Sequence, residues 1–400
     1  MNEPLVQTQV IPYLRELVKG GHDLTLLTFE PGDVDESEIR STLAADGIEW
    51  NWLRYHKRPS VPATLFDIAN AVRFIRKLMK RRPFEILHAR SHVPMMMAAL
   101  ARKASSNKPK LLFDIRGFMP EEYVDAGVWS ESGAIYRNVK TAESWLMAEA
   151  DGFVILTEAA RDVLFPESAE SGYDNAGRPV EVIPCCVDFE RRFSGDASER
   201  RAMKRKQLQV EDRFVIAHVG ALGGLYLTEE IADLLYLSKL ENEKTFALFL
   251  TQSNPELIIP LLRDRGFSET DFIVRKVPAS EVEDYVYASD VGLSFVKATF
   301  ATKSRSPTKI PEYLAAGLPI IANAGVGDTN RQLDEDGCGT LLHELTERGY
   351  RKAIRELSSL RPNIAELCRK SARMRFDLAE VGGRRYRRLY DSLTDRPTID

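Results

Sequence analysis

The chain has 400 residues, of which 44% are hydrophobic and 28% charged, as is typical of a soluble globular protein of two domains. Its 55 Lys and Arg against 59 Asp and Glu give a net charge of −4, which disfavours a nucleic-acid partner. The apolar run Val93–Ala101 is too short to span a bilayer and the four cysteines form no CxxC pair, so we expect a reduced, cytoplasmic protein without a metal.

The first half of the chain alternates helices with apolar strands. Helical spacing over Gln9–Val18 is followed by two glycines and the strand Leu24–Phe29. Apolar strands separated by helices indicate a parallel sheet covered on both faces. Since such a sheet normally begins with a strand, we expect the first strand to be missing from the chain as given. The later predicted strands are Trp50–Leu53, Glu85–His88, Lys110–Asp114, Gly152–Leu156 and Val180–Ile183, with helices Leu65–Lys80, Pro94–Lys103, Ile135–Glu149 and Thr157–Val163 between them.

A polar, charged stretch from Asp188 to Asp212 divides the chain, and a second alternating series follows it. We therefore expect two doubly wound α/β domains, 1–187 and 188–374. The C-terminal helix Leu378–Leu393 is basic on one face and by its pattern fits either half. The strands predicted for the second half are Phe214–Val219, Ala247–Leu250, Phe272–Val274, Val291–Phe295 and Pro319–Ala322.

The most informative segment is KSRSPTKIPEYLAAGLPIIA, residues 303–322. Ser306 or Thr308 is predicted to cap a helix, because a side-chain oxygen there accepts from free backbone N–H groups. Pro311 then falls in the first turn, where a missing N–H costs little, and Gly317 ends the helix. The chain next returns to a strand.

Charged side chains surround the start of this predicted helix. A helix N-terminus attracts anions, and added cations and hydroxyls make a diphosphate the ligand that fits best. A carboxylate is not suited to phosphate, but Glu312 can accept both hydroxyls of a ribose. An ordinary capped helix with solvated charges remains the alternative. The residues expected to bind the diphosphate are Lys303, Arg305, Ser306, Thr308 and Lys309.

The stretch SPTKIPEYLAAGLPIIAN resembles the donor-binding signature of retaining GT-B glycosyltransferases of the family 4-like group. Three further segments, ASDVGL at 288–293, FDIRG at 113–117 and VILTE at 154–158, resemble the same group, the second its polysaccharide or cell-envelope subgroup. The resemblance implies two Rossmann-like domains facing a cleft, with the C-terminal helix, 375–396, joining the first. It implies transfer of a sugar, with retention, from a UDP- or GDP-type nucleotide diphosphate sugar to a hydroxyl of a glycan or lipid-linked acceptor, without a cofactor.

The resemblance places ribose binding on Glu312, but two departures from the family pattern change the phosphate site. Ser304 stands where most members carry a first Glu, and the loop His218–Gly224 lacks their Arg and Lys. We therefore expect Lys303, Arg305 and Lys309 to supply the positive charge. Backbone N–H groups of Gly220, Gly223 and Gly224 are expected to help, and Val277 is expected to lie in a donor-binding loop. The loop is not the GxGxxG fingerprint, which disfavours a dinucleotide oxidoreductase.

In the first half, the candidates stand at the ends of strands, where open α/β sheets bind ligands. We expect His88, Asp114 and Arg116 to be catalytic together with Lys309, while Arg90 and Glu121 bind the acceptor. Glu121 is expected in a mobile loop. Asp114 with Glu121 also imitates the carboxylate pair of a glycosidase, but that interpretation leaves the phosphate-binding helix unexplained.

Residues 72–82 combine six cations with interleaved apolar residues, which fits either docking on anionic lipid at the inner membrane face or an ordinary surface helix. Two other functions also remain open. A nucleotide-sugar 2-epimerase of the same fold would isomerise the donor without an acceptor. A non-catalytic partner subunit would bind the nucleotide poorly, as Ser304 and the cation-free Gly220 loop suggest.

Overall fold

The computed structural model describes residues 1, 3–32, 35–193, 195–358 and 362–394. Their contacts divide the chain into two compact units. Unit 1 contains residues 1–184 together with 378–394, and unit 2 contains residues 185–377. Residues 395 and 396 of the predicted C-terminal helix lie outside the described residues.

The strands of unit 2 are short and mostly buried, as expected of strands covered by helices on both faces, whereas many strand residues of unit 1 are only half-buried. In unit 1 they are β1 (Leu24–Glu30), β2 (Ile48–Arg54), β3 (Ile86–Arg90), β4 (Lys110–Asp114), β5 (Gly152–Ile155) and β6 (Val180–Val182). In unit 2 they are β7 (Phe214–Val219), β8 (Thr245–Leu250), β9 (Phe272–Arg275), β10 (Val291–Ser294), β11 (Ile320–Asn323) and β12 (Gly339–Leu342).

The helices of unit 1 are α1 (Pro4–Gln9), α2 (Ile11–Lys19), α3 (Glu36–Ala45), α4 (Ser60–Arg81), α5 (His92–Lys103), α6 (Met119–Asp125), α7 (Ala134–Glu149), α8 (Glu158–Leu164) and α9 (Ser168–Ser171). Unit 2 contains α10 (Ala197–Leu208), α11 (Thr228–Glu241), α12 (Ile259–Asp264), α13 (Val282–Ala288), α14 (Lys309–Ala316), α15 (Thr329–Asp336), α16 (Glu347–Ser358) and α17 (Ile364–Phe376). The last helix, α18 (Arg384–Thr394), returns to unit 1. None of the described helices is at once long and apolar enough to cross a membrane.

Unit 2 holds a parallel sheet with the strand order β12-β11-β10-β7-β8-β9. Its first strand, β7, is central, and the later strands are added on both sides of it. The order therefore reverses between β7 and β10, and open α/β sheets bind ligands outside the carboxyl ends of the strands at that point. The edge strand β12 was not predicted, because four residues of GTLL carry too little pattern to be distinguished from a loop.

Unit 1 holds two parallel sheets, β3-β4-β5-β6 and the pair β1-β2. In the larger sheet Arg90 is paired with Asp114, so both stand at the carboxyl edge. Helix α18 packs on α2, β3 and β6. The helix predicted from Leu378 was wrong in its first turns, which form a π-helical segment over Leu378–Gly383. Its two final glycines have a low helix propensity, and the regular α-helix starts directly after them.

Candidate functional site

Helix α14 starts beside the carboxyl end of β7 in unit 2, but it lacks the cap that we expected. Thr308 is the N-cap residue, and its side chain accepts no capping hydrogen bond. The Ser306 hydroxyl instead accepts a hydrogen bond from the backbone N–H of Cys185 at 3.0 Å. Thr308 thus takes the predicted N-cap position without the capping hydrogen bond, and Cys185, far away in sequence, uses the Ser306 hydroxyl. Pro311 in the first turn and left-handed Gly317 at the end were predicted correctly.

Lys309 is the first residue of α14 and is only 6% exposed. Its Nζ has no hydrogen-bond partner among the described residues. The ammonium lies 5.0 Å from the centre of the Tyr226 ring, and a Cβ placed on Gly220 would be 3.2 Å from Nζ. Gly220 also has a φ of +132°, so only glycine fits there. A buried cation without a partner, next to a glycine turn, is an arrangement suited to an anion.

Burial lowers the pKa of Lys309 to about 7, although the charge of Glu312 acts in the opposite direction. His218, at the end of β7, is also buried, and its pKa is held well below 6.5 by burial and by the nearby charge of Lys309. Its Nε2 lies 3.1 Å from the carbonyl oxygen of Ala221. An anion bound beside Lys309 would relieve this unfavourable electrostatic environment.

The glycine loop after β7 uses several of its backbone N–H groups internally. Gly220 donates to the Leu250 carbonyl at 2.9 Å, and Gly223 donates to the Thr228 hydroxyl at 2.9 Å. Our expectation that these two N–H groups help to bind phosphate therefore needs correction, because both are already satisfied. Gly224 is exposed at the tip of the loop and stays a candidate.

Glu312 lies in the first turn of α14 and is held by a residue that the sequence did not single out. Arg192 donates from Nη1 to Glu312 Oε1 at 2.7 Å. Arg192 belongs to the charged stretch that we interpreted as a divider between domains, and no local spacing connects residues that are 120 positions apart.

Tyr313 anchors α14 to the sheet at the point where the strand order reverses. Its hydroxyl accepts from the backbone N–H of Val219 at 2.8 Å, and the ring is fully buried. A Cβ at Gly292 on β10 would lie 2.4 Å from the ring, so the ring packs directly on the strand backbone. This packing sets the position of Lys309 and Glu312 relative to the end of β7.

The other residues predicted to bind the donor sugar nucleotide do not form one compact cluster with Lys309. Lys303 is exposed, with Nζ 5.4 Å from the centre of the Phe300 ring, and Arg305 is half-buried. Ser304 donates from its hydroxyl to the Ala301 carbonyl at 2.7 Å and is buried, so it offers no substitute for a carboxylate. Val277 is half-buried after β9 and packs on the core beneath β7 and β8.

In unit 1, four polar side chains surround the carboxylate of Asp114, whose own side chain is only 1% exposed. Arg90 and Arg116 each place a guanidinium nitrogen 3.3 Å from it, and the Tyr386 hydroxyl donates to it at 3.1 Å. His88 Nε2 lies 3.5 Å away. The structure thus brings together the candidates that the strand ends predicted.

These four groups enclose the carboxylate of Asp114. Burial alone would raise its pKa, but the charges of Arg116 and Arg90 and the neighbouring His88 outweigh burial and hold the pKa well below its usual range. Asp114 thus holds the two arginines and His88 by its contacts, and its catalytic role stays a prediction.

The sequence analysis missed the part that α18 plays in this cluster. Tyr390 places its hydroxyl 2.9 Å from His88 Nδ1, and Tyr386 reaches Asp114. The two tyrosines are four residues apart and so share one face of the helix. The sequence shows that spacing, but no neighbouring residue indicates that this face of the helix covers the ends of β3 and β4.

Glu121 lies in helix α6 and not in the mobile loop that we expected. Its Oε1 accepts from the Tyr136 hydroxyl at 3.0 Å and is 3.0 Å from Lys140 Nζ, both on α7. These two contacts fix the carboxylate against α7. Its role in acceptor binding stays a prediction.

A cavity of about 320 Å³ lies beside the end of β4 in unit 1. Its polar lining comes from Ser144 and from His92 and Glu143, which are paired with His92 Nε2 2.9 Å from Glu143 Oε1. The remaining lining is apolar and comes from Phe113, Ile115, Phe118, Met147 and Leu164. Within the described part of the chain, no group of three or more His, Cys, Asp or Glu is placed to hold a metal ion.

Comparisons with known proteins bear on the family and on the fold. Residues 6–191 match the profile of Glycosyltransferase Family 4, while a comparison with curated protein sequences gives no match. Among solved structures, a glycosyltransferase from Rickettsia africae is similar at 15% identity and a TM-score of 0.71, with 98% of this chain and 97% of that one covered.

Two further solved structures are similar over both units. Anabaena HepE, crystallised with UDP and glucose, has 14% identity and a TM-score of 0.69, with 96% of each chain covered. WaaG, a glycosyltransferase involved in lipopolysaccharide biosynthesis, has 16% identity and a TM-score of 0.60, with 93% of this chain and 99% of that one covered. Identities this low speak to the fold alone. The chain therefore has the expected GT-B fold of two Rossmann-like α/β domains, and its residues 6–191 match glycosyltransferase family 4.

Proposed function

We propose that this protein is a retaining glycosyltransferase that uses a nucleotide diphosphate sugar and transfers the sugar to a hydroxyl of a glycan or lipid-linked acceptor. The observation that carries the proposal is the buried ammonium of Lys309 near Gly220 and Tyr226, which has no hydrogen-bond partner in the described part of the chain. It stands at the N-terminus of α14, where the helix dipole also favours an anion. The family match of residues 6–191 and the GT-B fold support the same activity.

The proposed reaction needs little from the protein except electrostatic stabilisation. The bond between C1 of the sugar and the diphosphate oxygen breaks, and the acceptor hydroxyl oxygen bonds to C1 from the same face. The acceptor's proton passes to the departing diphosphate oxygen, so no strong protein base is required. Lys309 and the dipole of α14 stabilise the negative charge that grows on the diphosphate.

We propose a UDP- or GDP-type donor. HepE was crystallised with UDP-glucose as well as with UDP and glucose, which supports a uridine nucleotide as the first to test. Glu312 would accept the ribose hydroxyls through Oε2, which no described residue contacts by a hydrogen bond, whereas Oε1 is taken by Arg192.

Calorimetric titration with UDP and GDP tests the donor site. We expect one of them to bind the wild type, and Glu312→Ala to weaken that binding roughly tenfold or more, since hydrogen bonds to a charged group contribute about 1.5–3 kcal/mol. Glu281→Ala, which removes a carboxylate before α13, should leave the affinity unchanged. Wild-type affinity in Glu312→Ala would contradict the assigned role.

An assay of donor consumption with and without acceptor separates the candidate activities. Transfer predicts that nucleoside diphosphate is released when an acceptor glycan or glycolipid is present and that the anomeric configuration of the sugar is kept in the product. Isomerisation of the donor without acceptor would instead indicate an epimerase. Binding of neither nucleotide would indicate a non-catalytic subunit.

Nucleotide affinity should depend on pH through Lys309. Its pKa is about 7 in the free protein, and a diphosphate bound beside Nζ favours the protonated form, so binding takes up a proton. Affinity should therefore fall by up to about tenfold per pH unit as the pH rises from about 7.5 to 9. The ligand's own phosphate is already ionised in this range, so its titration does not contribute to the change.

Titrations at several pH values, in buffers of different ionisation enthalpy, measure both the affinity and the proton uptake. His218 does not titrate in this range, because its pKa lies well below 6.5. Lys309→Met should show a flat profile. A wild-type affinity that does not change with pH would refute the linkage.

We also propose that α4 contacts an anionic membrane surface. The exposed apolar side chains lie in its first turns, at Val61, Leu65 and Phe66. The apolar residues within 72–82 are instead half-buried or buried, so this part of the segment contributes its cations. Exposed apolar side chains followed by cations favour docking on anionic lipid.

Vesicle sedimentation with and without phosphatidylglycerol tests the membrane contact. Replacing Lys77 and Lys80 by glutamine should lower binding to the anionic vesicles roughly tenfold or more, because each cation contributes about 1 kcal/mol near such a surface. The same replacement at Lys206 and Lys276, exposed in unit 2, is the matched control. Equal loss in both pairs would point to net charge and not to α4.

A further inference from the structure

The segment just after the start of unit 2 forms a turn that is tied to α13. Asp188 accepts from the backbone N–H groups of Glu190 and Arg191 at 3.2 and 3.1 Å. Glu283 Oε2 accepts from the backbone N–H of Phe193 at 3.2 Å, and Phe193 has a φ of +55°. Since a bulky residue rarely adopts that conformation, the turn is held in place by its contacts and not by local preference.

This turn places the guanidinium of Arg192 within hydrogen-bond distance of the carboxylates of Glu283 and Glu312. Its Nε donates to Glu283 Oε1 at 2.6 Å, and its Nη1 donates to Glu312 Oε1 at 2.7 Å. All three side chains are largely buried, with 20% of Arg192, 10% of Glu283 and 13% of Glu312 exposed. Charge-assisted hydrogen bonds at such distances are strong and directional, so the Glu312 carboxylate has a fixed orientation.

We infer that Arg192 is a positioning residue for ribose recognition: it occupies one oxygen of Glu312 and thereby aims the other at the ribose hydroxyls of the nucleotide. The inference rests on the proposed function, because it assumes that Glu312 binds ribose. Two effects follow from the geometry. The hydrogen bond from Arg192 Nε to Glu283 holds the guanidinium in place, and this restricts the rotation of the Glu312 carboxylate before the ligand arrives. The guanidinium charge also offsets the repulsion between Glu312 and a diphosphate at the N-terminus of the same helix.

The discrimination between ribose and deoxyribose measures this role directly. The probes are UDP with 2′-deoxy-UDP, and GDP with 2′-deoxy-GDP, titrated into the full chain. The wild type should prefer the ribonucleotide roughly tenfold to a hundredfold, the range for a hydrogen bond to a charged acceptor. In Arg192→Gln the preference should fall to within about threefold. Because the ratio is taken within one variant, a partly misfolded sample does not change it.

Arg200→Gln is the matched control. Arg200 also pairs with Glu283, at 3.3 Å, and with Asp284, at 2.6 Å, whereas the ion pair that the structure shows for Glu312 is with Arg192. Its replacement removes the same charge from the same network and should leave the preference for ribose unchanged. Arg192→Lys can reach one carboxylate but not bridge two, so it should recover only part of the preference.

Each outcome bears on a different claim. A full preference for ribose in Arg192→Gln overturns the inference and leaves the proposed function standing. An equal loss in Arg200→Gln also overturns it, since the effect would then be one of net charge. A wild type that binds neither nucleotide, or that binds both forms of each equally, overturns the ribose role of Glu312 and the inference with it.

Discussion

Replacing Lys309 with methionine is expected to lower kcat for sugar transfer by about 10²–10³-fold, the cost of removing one preorganised group that stabilises transition-state charge. Lys309 is the residue at the N-terminus of α14 whose ammonium is both buried and without a hydrogen-bond partner among the described residues. In the proposed reaction it would stabilise the growing charge of the departing diphosphate without any change of solvation. Steady-state kinetics with the donor found by titration measure the effect.

The same substitution should stabilise the fold. At pH 8 the unfolded chain carries a charged lysine, whereas the folded chain holds it with a pKa of about 7, a cost on the order of 3 kcal/mol. Methionine has a similar length and no charge to bury. Lys206→Met makes the same chemical change at an exposed position of unit 2 and should alter kcat by less than about threefold. An unchanged kcat in Lys309→Met would remove the residue from the mechanism.

Replacing Asp114 with asparagine is expected to lower the free energy of unfolding of unit 1 by about 3–5 kcal/mol, since one partner of a buried ion pair is removed. Arg90 and Arg116 would then face each other without the anion that both contact. Urea unfolding followed by tryptophan fluorescence measures this change selectively. The protein's four tryptophans, Trp50, Trp52, Trp129 and Trp145, all lie in unit 1.

The pH dependence gives a second measurement of the same carboxylate. The pKa of Asp114 is lower in the folded chain than in the unfolded chain, so its contribution to stability is present above about pH 4 and is lost as the pH falls through the folded value. The difference between wild type and Asp114→Asn should therefore shrink below pH 4. Glu121→Gln changes a more exposed ion pair with Lys140 and should cost about 1 kcal/mol at most. Equal losses in the two variants would contradict the anchoring role of Asp114.

Strand positions and fold class were predictable because the signal is local. Lys110–Asp114 and Phe214–Val219 each contain at least three consecutive apolar residues, as expected of a strand buried on both faces, and the structure has both strands at these bounds. The first-turn proline and the terminal glycine of α14 were also predictable from local signals, because the start and end of a helix depend on residues within one turn of each other. The edge strand β12 and the π-helical turn before α18 were missed because a few residues carry too little pattern.

The sequence by itself determined the two α/β units, the helix with Lys309 and Glu312 in its first turn, and the candidates at the ends of β3 and β4. Only the tertiary structure decided the burial and the hydrogen-bond partners of each group. The burial of Lys309 depends on Gly220 and Tyr226, the fixed carboxylate of Glu312 depends on Arg192, and the enclosed Asp114 depends on Tyr386 of α18. The physical reason is that helix and strand periodicity arise from neighbours within a few residues. Burial, pKa and hydrogen-bond partners arise from elements that fold against a site from distant parts of the chain.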